Sequence, residues 1–169
     1  YRNNEDSYIE SPCFNTINTN KPIIEFKMLS DCEEDNDGLA LYYSIDDGVS
    51  WNIVPQNGTY NWNWYNKSYI TALGHEGWDT SYTTWTKVKQ ILPNDAAGKS
   101  SIKLRFIFKS NESTSYEGFA IDDFKMYEAP YDVGVSSLAS PFDQCEWSES
   151  TQVQVYIENY GPTPVKSGT

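Results

Sequence analysis

The segment from Asp31 to Trp51, DCEEDNDGLALYYSIDDGVSW, constrains the fold more than any other part of the chain. It begins with a cluster of acidic residues, continues into an alternating apolar stretch, and ends in a turn that contains Asp46, Asp47 and Gly48. Such a turn between two alternating stretches is typical of a β-hairpin. The segment therefore predicts two paired strands beside an acidic loop, a setting that suits a hard cation.

The same alternation recurs along the chain. Within residues 23–29, Ile24, Phe26 and Met28 share one face, and residues 102–109 carry apolar side chains at every second position. Since no window of 11–18 residues keeps a helical period, these patterns predict an all-β protein. Further strands are predicted at residues 8–12, 39–43, 51–54, 85–91, 118–127, 132–138 and 152–159.

The net charge of −12 limits the classes of partner. An acidic surface repels phosphate backbones and anionic lipids, so we expect no nucleic-acid partner. No apolar run is long enough to span a bilayer, and we expect no membrane insertion. We take Tyr1 to be the start of a processed or excised segment of a secreted or cell-surface protein.

Three cysteines bear on the redox setting of the protein: Cys13, Cys32 and Cys145. Cys13 lies before the first long strand and Cys32 directly after it. A disulfide between them is expected only if the chain doubles back locally, and the alternative is that they stay apart. No further cysteine is left to pair with Cys145, so its partner lies beyond Thr169 or its thiol is free.

Pro130 marks a predicted domain boundary. Residues 1–129 are long enough for one β-sandwich. Residues 130–169 carry two further strand patterns, but a segment of about 40 residues cannot bury a core of its own. They are interpreted as the first strands of a second β domain, or as strands that another chain completes.

The turn sequence from Ser44 to Trp51 fits the spacing S-x-D-x-G-x-[ST]-W. Asp46 can accept hydrogen bonds from turn amides, Gly48 can adopt positive φ, and Trp51 can pack under the hairpin. The pattern resembles the Asp-box hairpin of sialidases and of unrelated secreted β proteins, where it is structural. A sialidase would be expected to use three arginines, and this chain has only Arg2 and Arg105.

The stretch GFAIDDFKMY, residues 118–127, conflicts with strict alternation. Either Asp122 or Asp123 would point into the core, and a buried, unpaired carboxylate is costly unless a cation binds it. The acidic residues between positions 31 and 37 could supply further oxygen ligands for calcium. The alternative is a β-bulge that turns both aspartates toward backbone amides or solvent.

A long insert, residues 55–84, is rich in aromatic side chains and has no regular period. Its aromatics could form a platform that stacks on sugar rings. The alternative is that they form the packing core of the loop itself. The candidate ligand-binding residues are Trp62, Trp64, Tyr65, Trp78 and Tyr82.

Little in the sequence indicates catalysis. His75 is the only histidine, and its surroundings, GHEGW, contain neither a nucleophile elbow nor a zinc-binding helix. With 24 acidic residues some carboxylate pair is inevitable, so such a pair carries no information about glycoside hydrolysis. We predict that the chain is not an enzyme and has no catalytic residues.

Several pieces taken in order resemble a known family. SPCF, IIEFKML, DGLALYYSIDDGVSW, GWDTSYTTW, SIKLRFIFKS and GFAIDDFKMY are similar to the MAM-like and cleaved-adhesin-like domains of secreted proteins of the Bacteroidetes, over about residues 8–128. The resemblance implies a two-sheet antiparallel jelly roll with calcium near the acidic loop and the last strand. It also implies that residues 130–169 begin an immunoglobulin-like domain. The implied calcium ligands are Asp31, Asp35, Asp37, Asp122 and Asp123.

These observations predict a non-catalytic, extracellular, calcium-stabilised module for adhesion or for carbohydrate or substrate targeting. Its expected partners are a glycan or protein at the cell surface and other domains of the same parent chain. The alternative is a structural or exosite domain of a secreted protease with no ligand of its own.

Overall fold

The computed structural model describes residues 1–56, 60–141 and 152–165, which form twelve strands and one short 3-10 turn, Asn94–Ala96. The strands are, in chain order, β1 (Asp6–Glu10), β2 (Pro22–Asp31), β3 (Gly38–Ser44), β4 (Asn52–Ile53), β5 (Asn61–Trp62), β6 (Lys67–Ile70), β7 (His75–Gly77), β8 (Tyr82–Ile91), β9 (Lys103–Lys109), β10 (Gly118–Glu128), β11 (Val133–Ser140) and β12 (Gln154–Asn159).

Eight strands form two antiparallel sheets. The first sheet has the order β1-β9-β3-β4 and the second the order β10-β2-β8-β5. Buried side chains from both sheets belong to one apolar cluster, so the sheets pack face to face as a sandwich. The all-β prediction, with antiparallel sheets in a β-sandwich, is confirmed.

Phe26 of β2 lies at the centre of this core. It is fully buried, and its ring meets the rings of Trp78, Phe106 and Phe124 at centroid distances of 5.8, 5.2 and 6.1 Å. The alternation read from the sequence places Phe26 there, because inward-facing residues of both sheets interdigitate. Aromatic pairs at these separations add packing energy beyond the area they bury.

The insert predicted from residue 55 to 84 contains regular structure. It supplies β5, the short ribbon β6–β7 and the start of β8. The ribbon is joined to the first sheet where Leu39 and Trp78 exchange two backbone hydrogen bonds of 2.9 and 2.8 Å. The insert is therefore part of the sandwich. Its aromatic residues Trp64, Tyr65 and Trp78 belong to the same apolar cluster as the side chains of the two sheets.

The β3–β4 hairpin has the predicted Asp-box geometry. Asp46 accepts a hydrogen bond of 2.8 Å from the backbone N–H of Ser50, and Gly48 has a φ of +92°. Trp51 donates a hydrogen bond of 3.1 Å to the Gly48 carbonyl and lies under the Arg105 guanidinium at 3.9 Å. The prediction of a structural hairpin at this motif is confirmed.

The chain divides into two compact units, Tyr1–Glu128 and Ala129–Thr169. The first contains both sheets of the sandwich. In the second, β11 and β12 form an antiparallel pair. Within the described ranges no helix is both long and apolar enough to cross a membrane.

Candidate functional site

The acidic loop after β2 is anchored by a buried carboxylate. Asp37 is fully buried and accepts hydrogen bonds from the Tyr1 hydroxyl at 2.6 Å and from the Asn111 backbone N–H at 2.7 Å. Burial and the bond to Asp37 raise the pKa of the Tyr1 phenol. The cost of burying this carboxylate is offset by protein donors, because each hydrogen bond to a charged group is strong.

A second buried carboxylate, Asp79, holds the other side of the loop. It accepts a hydrogen bond of 2.8 Å from the Asp35 backbone N–H and another from the Asn66 side-chain amide. The ammonium group of Lys67 lies 3.8 Å from Asp79 and 2.6 Å from Asp35. Asp79 was not among the predicted site residues; its place directly after Trp78, in the aromatic insert, is the signal that could have identified it.

The structure does not bring the five predicted calcium ligands together. Asp35 and Asp37 lie in the loop, but Asp122 lies opposite Lys27 while Gly118 lies opposite Asp31. Asp122 and Asp31 are thus four residues apart along the strand pair, roughly 13 Å, which is too far to share one ion.

The partners of these carboxylates are protein groups. Asp31 accepts a hydrogen bond of 3.2 Å from Ser81, and Asp123 forms an ion pair of 2.7 Å with Lys27. In the described ranges no group of three or more His, Cys, Asp or Glu side chains forms a metal site. The carboxylates do not fit the predicted calcium site, and calcium stays a prediction from the sequence.

A β-bulge accounts for the position of the two aspartates of β10. The register with β2 shifts between Asp122 and Lys125, and Asp123 has a φ of +53°. The extra residue resolves the conflict in the alternation: Phe124 packs against the core while both carboxylates remain exposed. The alternative reading, a bulge that turns them outward, is the one the structure adopts.

The predicted disulfide between Cys13 and Cys32 is not formed, and both cysteines carry free thiols. Cys13 lies beside Phe14, which pairs with Ile102 just before β9, whereas Cys32 contacts the Asp37 carbonyl near the other end of β9. β9 is seven residues long, roughly 23 Å, whereas a disulfide needs Cα atoms within about 7 Å. Burial, and the nearby carboxylates of Asp79 and Asp37, raise the pKa of the Cys32 thiol to about 12. Cys145 lies outside the described residues.

Three of the five predicted sugar-stacking aromatics belong to the core. Trp64, Tyr65 and Trp78 are almost fully buried, with ring centroids 4.5–5.0 Å apart. Tyr82 is half-buried at the start of β8 and packs against the same cluster. Only Trp62 is open to solvent, with 62% of its surface exposed. The platform does not form as predicted, because the insert uses these rings for its own packing.

The outer side of the second sheet has another exposed tryptophan. Along β8, Val88 and Gln90 point inward, so Lys87 and Lys89 point outward. The exposed Trp85 follows the same alternation and lies where the register with β2 shifts, between Thr86 and Tyr82. Trp62 of β5 lies opposite Lys89 on this side. Trp85 is 46% exposed and was not among the predicted residues.

Between these rings the surface is polar. Lys87 forms an ion pair of 3.0 Å with Glu25, and Lys27 lies opposite Lys87. We call this surface, formed by Trp62, Trp85, Glu25, Lys27, Lys87 and Lys89, the outer face.

His75 connects the β6–β7 ribbon to β3. Its Nδ1–H donates a hydrogen bond of 2.7 Å to the Glu76 carbonyl, so Nε2 is free to accept one from the Tyr42 hydroxyl. Both imidazole nitrogens are therefore engaged in hydrogen bonds, and the bond with Tyr42 holds the ribbon against β3.

Comparison with known proteins identifies the family. No curated protein sequence matches the chain significantly. Residues 2–126, which are more than half of the 169 residues, match the family described as Reelin subrepeat B. This family is a jelly-roll-like β-sandwich, in agreement with the fold that the resemblance implied. The chain therefore belongs to the Reelin subrepeat B family.

Proposed function

We propose that this chain is an extracellular, non-catalytic β-sandwich module that recognises carbohydrate through the outer face. Reelin-like domains are extracellular, which supports the location of the module outside the cell. The observation that carries the carbohydrate assignment is the pair of exposed tryptophans, Trp62 and Trp85, on one side of the second sheet.

The backbone positions of these two residues suit an oligosaccharide. Trp62 lies opposite Lys89, and the backbone of Lys89 is four residues from that of Trp85 along β8, roughly 13 Å. Indole faces pack against the C–H faces of sugar rings, and the charged groups of Glu25 and Lys87 between them can bond hydroxyls. A glycan that spans both rings would lie flat along the sheet.

The proposal is tested by glycan-array binding. The variants Trp62→Ala and Trp85→Ala should each abolish or strongly weaken a signal given by the unmodified chain. Tyr69→Ala is the matched control, because Tyr69 is 60% exposed but belongs to β6, outside the second sheet. Trp64→Ala is not a usable binding variant, because Trp64 is 4% exposed and its loss would damage the core.

Two results would overturn the carbohydrate assignment: no signal on any array, or a signal that both tryptophan variants retain. Absence of a glycan signal together with tight association to an adjoining catalytic domain would favour the second candidate function, a structural or exosite module of a secreted protease. Neither candidate depends on a bound metal ion.

We also propose that the parent chain is a bacterial, MAM-like surface protein, which the β-sandwich supports. We propose that an immunoglobulin-like domain begins at β11 and β12, whose antiparallel pairing suits such a domain. Val135 and Ile157 lie opposite each other in that pair with 64% and 69% of their surfaces exposed. An isolated two-stranded ribbon is marginally stable, so these side chains require further packing.

A further inference from the structure

An apolar groove runs along the edge of the sandwich where the two sheets end in β1 and β10. Its first part has a volume of about 500 Å³ and its second about 350 Å³. The two parts share Ile9, Phe106 and Ile121, so they form one continuous groove. The groove lies at the side of the molecule opposite β5, which carries Trp62 of the outer face.

The walls of this groove expose apolar side chains. Ile9 of β1 is 62% exposed although it lies opposite Phe106, which points into the core. Phe119 and Ile121 of β10 pack against the core on one side and remain partly open on the other. A contiguous apolar surface of this kind, rimmed by polar groups, marks an interaction site.

The strand beside the groove can accept another strand. β1 pairs only with β9 among the described strands, so its other edge offers backbone N–H and C=O groups. The outer strands on the far side, β4 and β5, are two residues long, which leaves little edge for pairing. β1 is five residues long and contains no proline or bulge, and its two charged residues, Asp6 and Glu10, are ion-paired with Lys109 and Arg105 of the neighbouring strand β9.

The charge around the groove selects the occupant. The chain carries a net charge of −12, and the first part of the groove is lined by Glu5 and Glu117 and by one basic side chain, Arg2. In its second part, Glu10 is the one charged residue among the described residues of the lining, and its ion-pair partner Arg105 does not line the groove. A basic segment is therefore complementary to the rim, while alternating apolar side chains are complementary to the walls.

We propose that this groove binds an extended peptide with alternating apolar side chains and basic flanking residues, which adds as a strand to β1. Backbone hydrogen bonds to the edge supply general affinity, and the apolar side chains that enter the groove supply selectivity. This interaction is separate from the proposed carbohydrate recognition, because it uses the other edge of the sandwich.

The test uses the full 169-residue chain and a fluorescent synthetic peptide in which valine alternates with threonine between terminal lysines. Fluorescence anisotropy should show saturable binding. Ile9→Lys should weaken peptide binding at least roughly tenfold, because the new ammonium group places a charge on the apolar wall and repels the terminal lysines of the peptide. Ile17→Lys is the matched control, since Ile17 is 58% exposed and does not line the groove, and it should leave the affinity unchanged.

A second peptide separates strand addition from simple apolar contact. N-methylation of alternate amides, on the edge that would face β1, removes the donors of the strand pair and should abolish binding. The proposal is overturned by any of four results: no binding of the parent peptide, equal binding by the Ile9→Lys variant, equal binding of the N-methylated peptide, or a dimer of the chain that Ile9→Lys disrupts. The last result would identify a second copy as the occupant.

Discussion

The hydroxyl of Tyr1 donates a hydrogen bond of 2.6 Å to a carboxylate oxygen of Asp37, a residue with no exposed surface. The first residue of the chain thus satisfies a charge inside the loop that follows β2. The ring of Tyr1 also packs edge-on against Phe108 at 4.8 Å, so the contact has both a polar and an apolar part.

Tyr1→Phe should therefore lower the free energy of unfolding by about 1.5 kcal/mol, since it leaves a buried carboxylate with one donor fewer while keeping the ring. Urea unfolding measures the change, and Tyr69→Phe is the control because Tyr69 is largely exposed. The pKa of Tyr1 is raised above 10, so the difference should persist below about pH 10 and shrink above it. Equal stability of the two variants would contradict the role of this bond.

The Asp-box turn should contribute to stability in a pH-dependent way. Hydrogen bonds from Ser50, with a further one from Ser44, lower the pKa of Asp46 from 3.8 to about 2. The contribution is present above pH 3.8 and is lost as the pH falls toward 2.

Thermal unfolding of Asp46→Ala should therefore differ from that of the unmodified chain at neutral pH, and the two should converge in acid. Glu112→Gln, at an exposed site, should show no such convergence. A difference in melting temperature that is independent of pH would exclude Asp46 as its source.

The cysteines should differ in reactivity. Cys13 is exposed, whereas Cys32 is buried with its pKa raised to about 12, and the thiolate is the reactive form. In a Cys145→Ser variant, iodoacetamide should modify Cys13 in the native state and Cys32 only after unfolding, as read by peptide mass spectrometry. Recovery of a disulfide-linked pair of peptides that contain Cys13 and Cys32 would show that the disulfide predicted from the sequence does form.

Close backbone approach makes Gly77 sensitive to substitution. A Cβ atom there would lie 2.7 Å from the carbonyl oxygen of Leu39, where the β6–β7 ribbon meets the first sheet. Gly77→Ala should cost about 1–3 kcal/mol, because the backbone must move to remove the clash. Ser68→Ala, at an exposed position of β6, should have little effect in the same urea titration.

The melting temperature should be unchanged by EDTA. The buried carboxylates Asp37 and Asp79 accept hydrogen bonds from protein groups, and Asp123 is paired with Lys27. No ion is needed to offset their charge. A fall in melting temperature that added calcium reverses would show that the acidic loop binds the ion the sequence predicts.

Alternation predicts the sandwich well and the site less well. Ile24, Phe26 and Met28 are fully buried as their spacing predicts, because a half-buried strand has a period of two. A bulge interrupts that period at Asp122 and Asp123, and which side it turns them toward depends on the partner strand rather than on local sequence.

The aromatic insert shows the same limit. Trp62 and Trp64 are two residues apart and equally apolar, yet one is 62% exposed and the other 4%. The difference arises because Trp64 packs against Phe26 and Trp78, which come from other parts of the chain. Asp79 was missed for a similar reason, since its partners Asp35 and Asn66 converge only after folding.

The strand order has a kinetic consequence. β10 is among the last strands of the sandwich to be synthesised, and it pairs with β2, while β1 pairs with β9. Loops between such distant segments must close before their contacts form, so we infer a high contact order and slow folding. A chain truncated before Gly118 would leave β2 with an open edge, and a growing polypeptide cannot complete the sandwich until Glu128 has been added.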